Sequence, residues 1–376
     1  MDRLLEIREQ IDHLDNEIVR LFFERMQLSE EVARYKIEHG KEVLNRQREE
    51  EKLAVLAKKA ETPFGQNGVR ELFGQIMTIS RKRQYQMITE KNVSLQNDYQ
   101  VVDQLNLDYA KVVFQGVEGA YGQAAMLQFF PKTIEATHVA QFEEAMEAVS
   151  SNKVDYAILP IDNSSVGAVT QMYDLLTKYD NYILDETYVQ IKHALLALPG
   201  AKIEDIKTVY SHPQGLMQCA DFLGKYPSWQ QVSLANTAVS AMKVIEDQDY
   251  SQAAIASETA AKLYGLQILE HSINYNKNNT TRFVIVGNEK KYKADAKKIS
   301  ICVEIDHQSG SLYHLISHFI FNGINMTKIE SRPIPERTWD YRFFIDFEGN
   351  LSEAGVQNAL SGIQAESKAF RLLGNY

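Results

Sequence analysis

Apolar residues recur near the N-terminus at Ile7, Ile11, Leu14, Ile18, Leu21, Leu28 and Val32, followed by the amphipathic Tyr35. The spacing alternates four and three, the seam of a helix packed along its whole length. Position 25 should carry the next hydrophobe and carries Arg25 instead. A buried cation without partners is strongly destabilising, so an anionic group should meet it. Lys36, eleven residues on, falls within roughly 20° of the same face. Two readings follow: a helix-lined pocket for a small polyanion, or an ordinary internal ion pair whose head snorkels to the rim. The helix runs to about Glu38 and breaks at His39-Gly40, and further helices are predicted near 46–60 and 67–89. Thr62-Pro63-Phe64-Gly65 reads as the stop signal between the last two. Nearly forty helical residues span roughly 50 Å or more. Three helices of such unequal length do not close a core alone, which predicts a dimer sharing long helices.

The rhythm then changes. Residues 91–110 are polar and aperiodic, as in a linker. From 111, short apolar runs alternate with helical patterns, with strands predicted at 112–117, 156–161, 194–198, 208–210, 253–256 and 283–286. That alternation predicts an α/β module with a largely parallel sheet and ligands bound beyond strand ends. From about Lys297 the order is strand, helix, strand, strand, helix, strand, a ferredoxin-like βαββαβ unit with no nucleophile beside a base. The predicted division is therefore 1–90 helical, 91–110 linker, 111–288 α/β and 297–376 βαββαβ.

Composition narrows the function. A chain of 376 residues needs two or three cores. The net charge of −10 argues against nucleic acid or an anionic membrane. Residues 1–90 hold 16 Lys+Arg against 17 Asp+Glu, so the acidity lies elsewhere and the helical part suits a small anion. Cys219 and Cys302 are isolated and outside any metal spacing, as in a reducing cytoplasm. No apolar run suggests a secretory signal or membrane span.

In this order the three blocks resemble the bifunctional chorismate mutase/prephenate dehydratase family of phenylalanine biosynthesis. The helical block is similar to the all-helical chorismate mutases, whose pocket residues correspond here to Arg8, Arg25, Lys36, Arg48, Glu49, Ser80 and Gln84. The implied reaction, chorismate to prephenate, is a pericyclic rearrangement that needs no metal or cofactor. It needs a folded substrate and charge at the breaking ether oxygen. The resemblance gives Arg25 and another Arg to the two carboxylates, Lys36 and Gln84 to the ether oxygen, and Glu49 to the hydroxyl. Arg8 lies about 25 Å along the helix from Arg25, so one substrate cannot bridge them on the same helix, and the resemblance implies that Arg8 enters the pocket of a second subunit. Asn45 stands where similar mutases have Asp. Without the resemblance, Ser80 and Gln84 read as an ordinary solvated helix face.

The central block resembles prephenate dehydratases in Gly116–Tyr121, Leu159–Gly167, Ser211–Cys219 and Asn279-Thr-Thr281-Arg282-Phe283. The resemblance implies a two-lobed module of periplasmic-binding-protein type that expels water and carbon dioxide from prephenate. Thr281 is the implied hydrogen-bond donor to the departing hydroxyl. Asn163, Ser164, Ser211 and Gln218 are the implied substrate anchors. Arg282 either binds a carboxylate or ties the two lobes. Ala120 and Gly122 replace hydroxyl residues common in relatives, Asp162 replaces Glu, and Ala235 stands where some relatives have Glu. His212, before a Pro, and Cys219, with no base beside it, read as structural.

The C-terminal block resembles an ACT domain. Gly310, Ser311 and Leu312, with Glu330 and Ser331, match segments that bind phenylalanine across a dimer interface in related enzymes. The implied protein is a cytoplasmic homodimer or larger assembly under phenylalanine feedback. Two alternatives stay open: a ligand-sensing protein, and a dehydratase whose mutase-like helices only dimerise.

Overall fold

The computed structural model describes residues 3–90, 99–335 and 337–376. Residues 91–98 of the expected linker lie outside them. Two compact units emerge. The first joins the N-terminal helices to Val303–Ile329 and Pro333–Arg371; the second comprises Tyr99–Cys302, Glu330–Arg332 and Leu372–Tyr376.

In the first unit the helices are α1 (Arg3–Glu38), α2 (Arg46–Ala57) and α3 (Pro63–Glu90). Asn45 caps α2, its side chain accepting from the Arg48 N–H at 3.0 Å. Asn and Asp serve equally as caps, so the Asn45 exchange keeps this local role. The expected stop signal at Thr62-Pro63 is a start. Pro63 occupies the first turn, where its missing N–H is not needed, and the Thr62 hydroxyl accepts from the Gly65 N–H at 3.1 Å.

The seam of α1 is bare in the single chain, with Ile7, Ile11, Leu14, Ile18, Leu21, Leu28, Val32 and Tyr35 all between 45% and 62% exposed. α3 is the opposite. Met77, Thr78, Ser80, Arg81, Lys82, Gln84 and Tyr85 are all buried, although they surround the helix. The reason is that it packs on α1 and α2 and also on two C-terminal helices, Ser311–Phe321 and Ala354–Glu366. Gly362 permits that approach, since a Cβ there would stand 2.4 Å from the His318 ring and 3.2 Å from Tyr85. The four C-terminal strands lie in the order Met326–Pro333, Tyr341–Glu348, Lys298–Glu304, Ala369–Asn375.

Among the described residues the second unit contains two large sheets, besides a two-stranded parallel pair of Gln100–Val102 with Lys291–Lys293. One orders Gln267–Glu270, His193–Ala197, Gln252–Ser257, Thr208–Ser211 and Gln230–Ser233; the other contains, in order, Tyr182–Gln190, Thr280–Gly287, Tyr156–Asn163, Lys111–Gln115 and Glu135–Val139. The sheets are mixed rather than largely parallel. Strand Thr280–Gly287 runs antiparallel to both neighbours, and His193–Ala197 is antiparallel to Gln252–Ser257. Both faces of strand His193–Ala197 are covered, Leu195 by one core and Leu196 by another, which explains its unbroken apolar run. Among the described residues no helix is long and apolar enough to cross a membrane.

Candidate active sites

The first site is a cavity of about 560 Å³ whose lining includes Arg25, Lys36, Arg48, Glu49, Ser80 and Gln84. Six of the seven positions expected to form the mutase pocket thus meet in one chain. Arg8, exposed on α1, is absent from the lining. Arg25 donates to the Ser80 hydroxyl at 2.7 Å, and Lys36 donates to the Val43 carbonyl at 2.6 Å. Burial lowers the pKa of both cations, an effect partly offset by Glu49. The buried Gln84 donates to Ser29 at 3.3 Å while its Oε1 has no hydrogen-bond partner among the described residues. An unpartnered buried amide facing a cation-lined cavity fits a ligand better than the solvated face that periodicity predicted.

Arg81 was not anticipated. It sits in the basic run Arg81-Lys82-Arg83, is 6% exposed and lines this cavity. It donates to Glu49 at 2.5 Å and to Glu366 at 2.7 Å. Burial alone would lower its pKa, but the two carboxylates raise it overall.

The second site is a cleft of about 430 Å³ in the central unit. Asn163 and Thr281, 118 positions apart, are direct partners in antiparallel register. The Asn163 Oδ1 accepts from the N–H groups of Ser165 (2.9 Å) and Val166 (3.1 Å), which fixes the amide orientation. Its Nδ2 then donates to Asn279 Oδ1 and to Thr281 Oγ1, each at 2.8 Å. Asn163, expected to anchor substrate, therefore holds Thr281, whose own proton has no acceptor among the described residues and whose side chain lines the cleft. Gln218 Oε1 accepts from Asn279 Nδ2 and pairs with His193 Nε2, both at 3.0 Å.

His193 went unnoticed in the sequence because it opens an apolar strand. It is 3% exposed, and burial pushes its pKa down to about 4, so it is neutral near neutrality. An amide oxygen only accepts, so the Nε2 of His193 carries the proton. Tyr121 stands 3.3 Å from the other ring nitrogen. A polar chain of Tyr121, His193, Gln218, Asn279, Asn163 and Thr281 thus runs along the cleft.

Three expected anchors do not line it. Arg282 alternates to the far face of its strand from Thr281 and Phe283, and donates to Glu186 and Tyr376, each at 2.6 Å. Ser211 is fully buried beneath Gly215, and its hydroxyl donates to the Ile255 carbonyl at 2.8 Å. The Ser164 hydroxyl accepts from the Thr280 N–H at 2.9 Å and fastens the loop. Gly122 has a steric cause, since a Cβ there would stand 2.8 Å from the Gln115 carbonyl oxygen. His212 caps the Pro213–Gln218 helix, and burial raises the Cys219 thiol to about 12.

Residues 7–85 match the family model "Chorismate mutase type II" and residues 112–291 the model "Prephenate dehydratase". A "Bifunctional chorismate mutase/prephenate dehydratase" of Buchnera aphidicola is 32% identical over 99% of this chain and 96% of its own length. A chloroplastic "Arogenate dehydratase/prephenate dehydratase 1" of Arabidopsis thaliana is 38% identical over 71% of each chain. Among solved structures, prephenate dehydratase of Arthrobacter aurescens in complex with L-Phe is similar with a TM-score of 0.65 and 31% identity, covering 71% of this chain and 89% of that one. With both models matched in order and a relative aligned nearly end to end, the chain belongs to the bifunctional chorismate mutase/prephenate dehydratase family.

Proposed function

We propose that this chain converts chorismate to prephenate in the helical cavity and prephenate to phenylpyruvate, carbon dioxide and water in the central cleft. The observation that carries the reading is the pair of prepared sites: a cavity lined by Arg25, Lys36 and Arg48, and the Asn163–Thr281 pair in the cleft. In the first, Arg25 and Arg48 take the two substrate carboxylates with geometry that suits guanidinium. Lys36 and Gln84 face the ether oxygen as negative charge builds there, and Glu49 takes the hydroxyl. In the second, Thr281 donates its proton's hydrogen bond to the departing hydroxyl. Gln218 keeps its Nε2 for the substrate it faces, since its oxygen is already engaged. Loss of carboxylate and hydroxyl then yields the aromatic ring, which supplies the driving force.

The C-terminal segment, read as an ACT domain, is the feedback site for phenylalanine, the ligand bound by the Arthrobacter aurescens structure. Gly310, at φ +86, opens the Ser311–Phe321 helix and leaves its first N–H groups approachable by a carboxylate. Leu312 follows in that helix, while Glu330 and Ser331 lie in the strand Met326–Pro333. The bare seam of α1 is covered by a second copy of the chain, which brings its Arg8 to this copy's cavity. The enzyme works in the cytoplasm, in keeping with two buried cysteines that form no disulfide with each other.

The test uses purified protein given chorismate and, separately, prephenate, each with and without phenylalanine. Phenylpyruvate should form from both without added cofactor, and phenylalanine should slow it. Prephenate that accumulates from chorismate, or binds without turnover, refutes the dehydratase assignment.

A further inference from the structure

The mutase model ends at residue 85, yet the cavity it describes is tied to residue 366. Arg81 meets Glu366 through two contacts, Nε to Oε1 at 2.7 Å and Nη2 to Oε2 at 3.3 Å, and reaches Glu49 through Nη1 alone. One guanidinium is thus divided between a carboxylate expected to hold substrate and one contributed by the C-terminal segment. Burial raises the Glu366 carboxyl, but His318 and Arg81 outweigh it and hold it at about 2, so it stays ionised.

The surroundings are built for this contact. His318 Nε2 stands 3.4 Å from Glu366 Oε2, and Lys82 donates to the Ser317 carbonyl at 2.8 Å. A second cavity of about 290 Å³ has Glu49, Arg81 and Glu366 on its wall together with Ser311 and His314. The helix that starts at the proposed effector segment therefore carries His314 and His318 against the ion network of the mutase site.

We infer that Glu366 is a positioning residue for the mutase reaction and the link through which the C-terminal segment regulates it. While Glu366 holds the guanidinium, Glu49 keeps an oxygen for the substrate hydroxyl. When Glu366 is withdrawn, the planar fork of Arg81 closes on Glu49 with both arms and takes it out of the reaction. An effector at Gly310–Leu312 acts by moving the following helix, and with it His318 against Glu366. The two states differ in which carboxylate owns Arg81, which supplies the differential contact a regulatory effect requires. This inference rests on the proposed mutase and feedback reading.

The test uses the full chain and phenylalanine as the probe. Glu366→Gln should lower mutase kcat/KM about tenfold, mainly through kcat, and abolish the response of the mutase to phenylalanine. Dehydratase turnover and its inhibition should stay within about twofold of wild type. Adding Arg81→Gln frees Glu49, which keeps Arg25 and Lys36 as cationic neighbours, so the double variant should recover mutase activity to within about threefold while staying insensitive to phenylalanine. A merely structural role would not give recovery on removal of a second buried contact. If Glu366→Gln fails to fold, the double variant alone decides by the same two readouts. The inference is overturned if Glu366→Gln keeps wild-type mutase kinetics and inhibition, or if the double variant is as slow as the single. Wild-type protein without mutase activity would instead overturn the functional reading beneath it.

Discussion

Thr281→Val isolates the chemistry of the central cleft. Valine keeps the branched shape and removes only the hydroxyl, so strand register with Asn163 is preserved. Two effects follow. The Asn163 amide loses one of its two acceptors, and because this side chain is only half-buried the cost in stability is that of one ordinary hydrogen bond, about 0.5–1.5 kcal/mol. The departing hydroxyl loses a prepared donor, and removal of such a donor lowers turnover by about 10²–10³. The loss belongs in kcat, because the interaction strengthens as charge develops on the leaving oxygen. Phenylpyruvate formation from saturating prephenate reads kcat directly, with chorismate consumption as the internal control. Thr281→Ser keeps the hydroxyl and should retain activity to within about tenfold. Turnover of Thr281→Val close to wild type, or a defect confined to KM, would refute the donor role.

Three further outcomes are expected. Arg25→Ala should lower mutase kcat/KM by about two orders of magnitude while dehydratase activity persists, read by separate assays on the two substrates. Lys36 must be charged to face the ether oxygen, and burial lowers its pKa, so mutase activity should fall on the alkaline side before an ordinary lysine would titrate. Lys36→Arg should move that limb to higher pH in the pH–rate profile. His193 has a folded pKa of about 4, below its unfolded value, so the unfolded chain takes up the proton first as pH falls. Its contribution is full above the unfolded pKa and is lost between there and about pH 4, roughly 3 kcal/mol in all. Urea unfolding across that window should show this slope, and His193→Gln should flatten it.

Glu49 illustrates how far local pattern reaches. Its place beside Arg48 at the start of a helix was legible, and so were Arg25 and Lys36 on one face of α1, because helical spacing alone sets which residues share a face. Its actual partners were not. Arg81 carries no local signal of burial, and it is enclosed only because α3 packs against the Ala354–Glu366 helix. The Ser80 and Gln84 positions carry the same lesson, since a polar i, i+4 pair is exposed or buried according to neighbours that local sequence does not name.

The central cleft divides in a similar way. Periodicity made the alternation of strands and helices legible, and the βαββαβ order at the C-terminus, because burial of one face imposes a period on each element. Strand direction was not, and the sheets proved mixed. Arg282 follows Thr281 in the same distinctive stretch, yet strand alternation turns one toward the cleft and the other away. Sequence by itself determined which elements form and which charges a helix face presents, since those depend on neighbours a few residues away. Tertiary structure alone decided that Asn163 would meet Thr281, that His193 would hold Gln218, and that Arg81 would be shared with Glu366. Each joins residues 25 to 285 positions apart, and such contacts exist only once the units have closed around them.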